Sequence, residues 1–192
     1  MIVGIVNMYS TLYECRYLIH TIQSLGYRTY VLDGVRSSPE DIAHTIKHSA
    51  VTHWIFSGSP TSVLAPDAPQ VPVSVLGMKD KRIMCLCYSM ESMLFQLGYP
   101  LKDHGSTQTD VVHLPMLKPH ALFDGIKDPM VMRRHHRQYI SSSTIHAPVH
   151  VLASHKGQAM IAVLKQTTLI QFHPEKSVDG KKLLLNWLQT SL

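Results

Sequence analysis

The sequence predicts an α/β fold with a mixed, mostly parallel sheet, and three features of its 192 residues carry that prediction. The first half alternates short β-branched runs with segments of helical apolar spacing, which is typical of a doubly wound parallel sheet. The second half changes to short apolar runs separated by turn signals, which indicates an antiparallel C-terminal addition. No internal repeat or linker interrupts the pattern, so we expect one domain over 1–192.

In the first half of the chain, the ends of the predicted helices and strands are clearer than in the second half. Gly26 and Gly98 are placed to end two helices, and Pro39-Glu40-Asp41 is typical of a helix start. The predicted strands are 2–6, 27–32, 52–56 and 82–86, the predicted helices are 12–25, 39–48 and 88–97, and the proline-rich segment 60–72 is predicted to be a loop.

The second half is predicted from shorter runs. The predicted strands are 111–114, 149–153, 159–164 and 168–172, and an amphipathic helix is expected at about 180–188.

Composition narrows the classes of protein. The hydrophobic fraction of 45% is ample for one core, and the net charge of +5 with only 16% charged residues describes a mildly basic globular protein. No basic run exceeds a few residues, so we do not expect nucleic-acid binding.

Cysteine usage and the N-terminus predict a location. The three cysteines, an odd and sparse set, form no disulfide framework, which favours a reducing compartment. The apolar start reaches the polar Asn7 almost at once, so it predicts a core strand rather than a signal peptide. No apolar stretch approaches the roughly 20 residues that a membrane helix needs. We therefore expect a cytoplasmic protein without a membrane segment.

Two segments carry candidate chemistry. Cys87 lies at the junction of a predicted strand and helix, where a helix N-terminus favours a thiolate. His173 and Glu175 follow a predicted strand, and a thiol, an imidazole and a carboxylate are the parts of a nucleophilic triad. Taken singly, Cys87 fits a buried structural cysteine and His173 an ordinary core or surface histidine, and these alternatives stay open on the residues alone.

Both segments resemble a known family. The string Cys-Leu-Cys-Tyr-Ser-Met-Glu at 85–91 resembles the Gly-x-Cys-x-Gly nucleophile elbow of class I glutamine amidotransferases, and Gln-Phe-His-Pro-Glu at 171–175 contains their His-Pro-Glu signature. Ser-Gly-Ser-Pro-Thr-Ser-Val at 57–63 is similar to a loop of the GMP synthetase and anthranilate synthase branches. Glu-Lys-Ser at 175–177 is instead similar to the glutaminase subunit of imidazole glycerol phosphate synthase.

The resemblance implies a flavodoxin-like fold and a mechanism. Cys87 would attack the side-chain amide of glutamine, His173 would act as base and acid, and Glu175 would orient the imidazole. The loop at Gly58 and Ser59 would form the oxyanion hole with Tyr88, through the amides of Ser59 and Tyr88. The family's chemistry needs neither a metal nor an organic cofactor.

The chain departs from the family pattern on the substrate side. Cys85, Ser89 and Ser59 replace glycines, and Glu91 stands where glutamine is usual. The basic segment 133–137 falls in another substrate-contacting region, with His136 in place of a glycine. We therefore expect a remodelled pocket, and the predicted substrate-binding residues are Glu91, Arg134, His135, His136 and Arg137. A solvated loop is the alternative for this basic segment.

Three functions remain in competition. The leading hypothesis is a glutaminase-type subunit that delivers ammonia to a separate synthetase partner, with ATP-dependent synthetases among the candidates. The second is a Cys-His hydrolase of a different amide or γ-glutamyl compound, selected by Glu91 and the basic segment. The third is a non-catalytic binding or regulatory subunit, in which the altered elbow no longer supports the reaction.

Overall fold

Nine strands and four α-helices make up the fold of this computed structural model, which describes residues 1–190. In chain order they are β1 (Ile2–Asn7), α1 (Leu12–Ser24), β2 (Arg28–Asp33), α2 (Pro39–His48), β3 (His53–Phe56), β4 (Arg82–Leu86), α3 (Tyr88–Gln96), β5 (Leu101–Leu114), β6 (Met130–Ile140), β7 (His150–His155), β8 (Gln158–Leu164), β9 (Thr167–Ile170) and α4 (Val178–Gln189).

The main sheet has seven strands in the order β2-β1-β3-β4-β9-β8-β7. The strands from β2 to β9 in this order pair in parallel, while β8 is antiparallel to both β9 and β7. The predicted α/β class with a mixed, mostly parallel sheet is therefore confirmed.

Apolar clusters cover both faces of the sheet, as a doubly wound sheet requires. On one face Ile5, Met84 and Phe172 pack with Trp187 of α4, and on the other Phe56 and Cys85 pack with residues of α2 and α3.

Two predictions for the second half were wrong. The run 111–114 does not join the main sheet: it belongs to the 14-residue β5, which pairs only with β6 in a separate antiparallel sheet. The run 168–172 lies largely in β9, which is parallel to β4 although it is antiparallel to β8. The antiparallel addition is therefore limited to β8 and β7.

The topology brings four segments to one edge of the sheet. Because β1, β3, β4 and β9 are parallel, the residues that follow them meet at their carboxyl ends, where doubly wound proteins place their sites. These residues include Tyr9, Ser57, Cys87 and His173. Within 1–190, no helix is both long and apolar enough to cross a membrane.

Candidate active site

Cys87 occupies a strained turn between β4 and α3. Its φ of 50° and ψ of −111° lie where residues with a side chain are uncommon, and its N–H donates to the carbonyl of Ile170 at 2.6 Å. The residue directly precedes the first turn of α3, so its thiol lies near the helix N-terminus. Such local strain clusters at functional sites, where the surrounding structure enforces it.

The surroundings of the Cys87 thiol favour its protonated form. Burial raises its pKa well above the ordinary value, and the nearby carboxyl of Glu91 raises it further. The thiol donates to the backbone carbonyl of His135, with a sulfur–oxygen distance of 3.7 Å. Formation of the thiolate therefore needs a base or a change in the surrounding charges.

His173 and Glu175 form a buried pair. The Nδ1 atom of His173 lies 2.9 Å from Oε1 of Glu175, and both side chains are about nine-tenths or more buried. Burial alone would raise the pKa of Glu175, but the His173 charge and hydrogen bond bring that pKa below its ordinary value. With Nδ1 engaged, Nε2 is the free nitrogen of the imidazole.

Gly58 allows His173 to come close to the loop that follows β3. A Cβ atom on Gly58 would lie 2.9 Å from Cε1 of His173 and 2.9 Å from the hydroxyl of Tyr9. These contacts are tighter than side chains tolerate without a shift, so the loop and the imidazole can occupy these positions only with glycine at 58.

The substituted glycine positions do not carry backbone strain. Among the described residues with a side chain, Cys87, Lys156 and Lys165 have positive φ, and Cys85, Ser89 and Ser59 do not. The Ser89 hydroxyl donates to the carbonyl of Ser57 at 2.6 Å. Serine and cysteine are therefore compatible with this elbow, and Ser89 adds a link between the elbow and the loop.

Two cavities meet at Cys87. The first measures about 440 Å³ and is lined by polar residues of the loop and of β5, β6 and α3, including Ser59, Ser62, Glu91, Asp103, His136, Arg137 and Gln138. The second measures about 320 Å³ and is lined by Tyr9, Glu14, Arg16, Tyr17, His173 and Lys176. Cys87, Ser59, Pro60 and His135 line both, so the thiol is reached from two sides.

Glu91 is a buried acid in the wall of the first cavity. Its exposed fraction is 4%, and its Oε1 atom accepts a hydrogen bond of 2.6 Å from Nε2 of Gln171. Burial raises the pKa of this carboxyl to about 8, although the Gln171 hydrogen bond acts in the opposite direction. The Glu91 carboxyl is therefore mostly neutral near pH 7.

The basic segment 133–137 lies in β6, so alternation along the strand divides it between two faces. Arg134 and His136 are buried, whereas Arg133, His135 and Arg137 are exposed. The segment is neither a solvated loop nor a single basic cluster.

Of the four predicted substrate-binding residues in β6, three line the first cavity and one does not. Three of them, His135, His136 and Arg137, line the first cavity. The guanidinium of Arg134 instead pairs with the carboxylate of Asp110 and reaches Gln158. Arg134 is thus engaged in a structural contact away from the cavity lining.

The two cavity histidines are neutral near pH 7. Burial lowers the pKa of His136 to about 4, and its Nε2 lies 3.1 Å from Oε1 of Gln158. Burial also lowers the pKa of His135, and electrostatic interaction with the neighbouring His173 and Lys176 side chains adds to this effect. Neither histidine supplies a fixed cation to the cavity.

The comparisons with known proteins agree with this geometry. The profile of the glutamine amidotransferase class-I family matches residues 6–188. The chain belongs to the class I glutamine amidotransferase family.

Its curated relatives include proteins named GMP synthase [glutamine-hydrolyzing]. One from Bartonella henselae is 28% identical over 74% of this chain, and one from Christiangramia forsetii is 32% identical over 78% of it. The alignments cover only 28% and 29% of those relatives, so this class I amidotransferase chain spans less than a third of their length. The likeness to the GMP synthetase branch is thus confirmed.

Solved structures show the same fold. A protein from Thermoplasma acidophilum described as a GMP synthase subunit superposes with a TM-score of 0.76 at 14% identity, covering 98% of this chain and 92% of its own. A glutamine amidotransferase from Thermotoga maritima gives a TM-score of 0.67 at 8% identity, covering 96% of this chain and 80% of its own.

Several contacts of this amidotransferase domain were not predicted from the sequence. The Oε1 atom of Gln138 in β6 accepts hydrogen bonds from the Ser62 hydroxyl and the Val63 N–H, which fixes the loop after β3. The Asp103–Arg137 ion pair closes the rim of the first cavity. Both contacts involve residues of β6. This strand was not predicted, because polar residues occupy several of its buried positions and its middle lacks apolar alternation.

Proposed function

We propose that this chain is a glutaminase component that hydrolyses the side-chain amide of glutamine and supplies ammonia to a separate synthetase. The observation that carries the proposal is the arrangement around Cys87. The strained cysteine shares a cavity with His173, and Glu175 holds the Nδ1 atom of that imidazole at 2.9 Å. A nucleophile, a base and a group that orients the base are thereby brought to one edge of the sheet.

In the first half-reaction Sγ of Cys87 attacks the amide carbon of glutamine. The thiol proton, donated at rest to the carbonyl of His135, moves to Nε2 of His173. The imidazolium then protonates the leaving nitrogen as the carbon–nitrogen bond breaks, which releases ammonia and leaves a γ-glutamyl thioester. Glu175 stabilises the imidazolium through the existing hydrogen bond.

In the second half-reaction water attacks the thioester carbon. His173 accepts a proton from the water, the carbon–sulfur bond breaks, and the proton returns to the sulfur of Cys87 as glutamate leaves. No metal or organic cofactor takes part in these proposed steps.

The oxyanion of each tetrahedral intermediate is assigned to backbone amides. Within the described chain the N–H groups of Gly58 and Ser59 have no acceptor, and the N–H of Tyr88 opens α3 beside the Cys87 sulfur. Ser59 lines both cavities at Cys87, which supports Ser59 and Tyr88 as the donors.

The proposed partner is a synthetase that consumes the ammonia. The curated relatives named GMP synthase extend well beyond the portion that matches this chain, which supports an acceptor activity carried by additional polypeptide. An ATP-dependent synthetase is the proposed class, because replacing an oxygen by ammonia requires an activated acceptor.

The two alternative functions make different demands on this site. The non-catalytic alternative rests on an elbow impaired by the replaced glycines, whereas the absence of positive φ at Ser59, Cys85 and Ser89 favours a working elbow. A hydrolase of another amide keeps the same triad and differs only in the first cavity.

Covalent trapping tests the proposal. The protein is incubated with a diazoketone analogue of glutamine and examined by intact mass and peptide mapping. We expect one adduct on Cys87, lost in Cys87→Ser and His173→Ala and retained in the matched Cys85→Ala variant, since Cys85 is buried in the core.

The negative results separate the alternatives. If Cys87 reacts with iodoacetamide but not with the glutamine analogue, glutamine is not the substrate of the isolated chain. If Cys87 reacts with neither reagent, the catalytic proposal is wrong and the non-catalytic subunit is favoured.

A further inference from the structure

The first cavity contains one acid without a cationic partner. Its charged lining residues are Glu91, Asp103 and Arg137. The Nε atom of Arg137 lies 2.9 Å and 3.0 Å from the two carboxylate oxygens of Asp103, so these two charges compensate each other. Within residues 1–190, no ion pair satisfies Glu91. The cavity therefore offers a site for a positive charge on its ligand.

Glu91 is held in a fixed position. The carboxyl is 4% exposed, and its Oε1 accepts from Gln171, whose own side chain is completely buried. The Glu91 N–H also donates to the carbonyl of Cys87 at 3.1 Å. Glu91 is therefore held by Cys87, the proposed nucleophile, and by Gln171, which lies two residues before the proposed base His173.

We infer that Glu91 recognises a cationic amine on the substrate, so that this domain selects amides that carry an ammonium group. This inference rests on the proposed function and names the substrate group that the cavity recognises. Without a charged partner the buried Glu91 carboxyl keeps its proton, because burial raises its pKa to about 8. A substrate ammonium supplies that partner on binding, and the carboxyl then releases its proton to solvent and forms a charge-assisted hydrogen bond. Among the described residues that line this cavity, Arg137 is the one lysine or arginine available to a substrate carboxylate, and its side chain lies exposed at the rim.

Ligand charge also acts on the nucleophile. Glu91 raises the pKa of the Cys87 thiol, because an ionised carboxyl nearby opposes formation of a thiolate. Above the Glu91 pKa of about 8, where this carboxyl is ionised, an ammonium paired with it offsets that repulsion. At those pH values recognition of the amine and activation of Cys87 are therefore coupled through one residue.

Two truncated analogues of glutamine separate the contributions of its end groups. Glutaramate keeps the amide and the carboxylate but lacks the amine, whereas 4-aminobutanamide keeps the amide and the amine but lacks the carboxylate. We expect glutaramate to lose about 10- to 100-fold in kcat/KM relative to glutamine, the range for a hydrogen bond to a charged group, and 4-aminobutanamide to lose less.

The variant Glu91→Gln tests the assignment of the residue. It is nearly isosteric and can still accept from Gln171, so the cavity keeps its shape. We expect it to lower kcat/KM for glutamine and for 4-aminobutanamide by about the same factor and to change that for glutaramate less, so that the preference for an amine is lost. The matched control Glu40→Gln removes a carboxylate on the exposed first turn of α2 and should preserve the selectivity.

Direct binding keeps the test independent of catalysis. Calorimetry with Cys87→Ala measures the affinity of the two analogues in the presence and absence of the Glu91→Gln change. A preference for 4-aminobutanamide that disappears with Glu91→Gln supports the inference. Equal affinities, or a preference that survives Glu91→Gln, would overturn it. A failure of catalysis with this binding preference intact would count against the proposed function alone.

Discussion

The Ser89 hydroxyl and the Ser57 carbonyl are joined by a hydrogen bond of 2.6 Å, and both residues are completely buried. Ser89 lies in the first turn of α3 and Ser57 directly follows β3, so the bond couples the nucleophile turn to the proposed oxyanion loop. Position 89, where the family usually has glycine, thus carries a hydroxyl that links these two segments.

Replacing Ser89 by alanine should loosen that link. Loss of the hydroxyl leaves the buried carbonyl of Ser57 without this donor, which costs about 1–3 kcal/mol of unfolding free energy. We expect Ser89→Ala to lower that free energy by this amount and to reduce kcat more than KM, measured by urea unfolding and by glutamate release.

Ser92→Ala is the matched control on the same helix. The Ser92 hydroxyl is also buried but contacts Gln96 rather than the loop. Its stability cost should come without a selective fall in kcat. Equal kinetic effects of the two variants would show that the Ser89 contact has no special role in positioning the loop.

Gly58→Ala should displace the proposed base. The added Cβ would meet the His173 ring and the Tyr9 hydroxyl at 2.9 Å, so either the loop or the imidazole must move. Because a misplacement of about 1 Å can reduce a rate about 100-fold, we expect a large loss of kcat with the fold retained. Steady-state glutaminase rates and circular dichroism measure the two effects.

Gly77→Ala provides a control for the loss of a glycine. A Cβ atom at position 77 would meet nothing within 4 Å. The variant should retain wild-type activity. If Gly58→Ala were equally active, the close approach of His173 to the loop would not matter for the reaction.

Glu175→Gln should impair the reaction without unfolding the protein. An amide can still contact Nδ1 of His173 but cannot stabilise an imidazolium by charge. We expect kcat to fall by about 100-fold or more and the rate of Cys87 labelling to fall with it. Circular dichroism should show the same secondary structure, and an unchanged kcat would remove Glu175 from the mechanism.

Most strands of the main sheet could be predicted because they are short, buried apolar runs. The positions of Cys87, His173 and Glu175 after predicted strands were also visible in the sequence, and the parallel order of β4 and β9 places these strand ends side by side. Each of these predictions rests on a pattern within a short segment of the chain.

The wall of the cavity could not be predicted in the same way. In β6 the buried positions between Met132 and Ile140 are the polar residues Arg134, His136 and Gln138, so the middle of the strand does not show apolar alternation. Their burial depends on partners distant in sequence, such as Asp110 for Arg134 and Gln158 for His136. A single sequence does not reveal such long-range polar pairing.

Gln138→Ala should release the loop after β3 from β6. The variant removes the acceptor for both the Ser62 hydroxyl and the Val63 N–H. Because this loop lines the first cavity, we expect KM for the amide substrate to rise about 10-fold, with a smaller change in kcat. Gln108→Ala is the control and should leave KM unchanged, because this β5 residue is half-buried and, within residues 1–190, its side-chain amide donates to Ser106 and not to the loop. A wild-type KM in Gln138→Ala would mean that the loop keeps its position without β6.

The Glu91 carboxyl should make stability depend on pH. Its pKa is raised from 4.5 to about 8 in the folded protein by burial. Between these values the folded state holds a proton that the unfolded state has lost, so the unfolding free energy falls as pH rises. The slope from this group is at most about 1.4 kcal/mol per pH unit, and it ends above the folded pKa.

Urea unfolding of wild type and Glu91→Gln from pH 5 to 9 isolates this contribution. The difference in unfolding free energy should grow in favour of Glu91→Gln up to about pH 8 and then level off. The neighbouring groups do not mimic this curve, because the pKa of His136 is lowered to about 4 and burial raises that of Cys87. Parallel curves for the two proteins would show that Glu91 does not hold its proton in the fold.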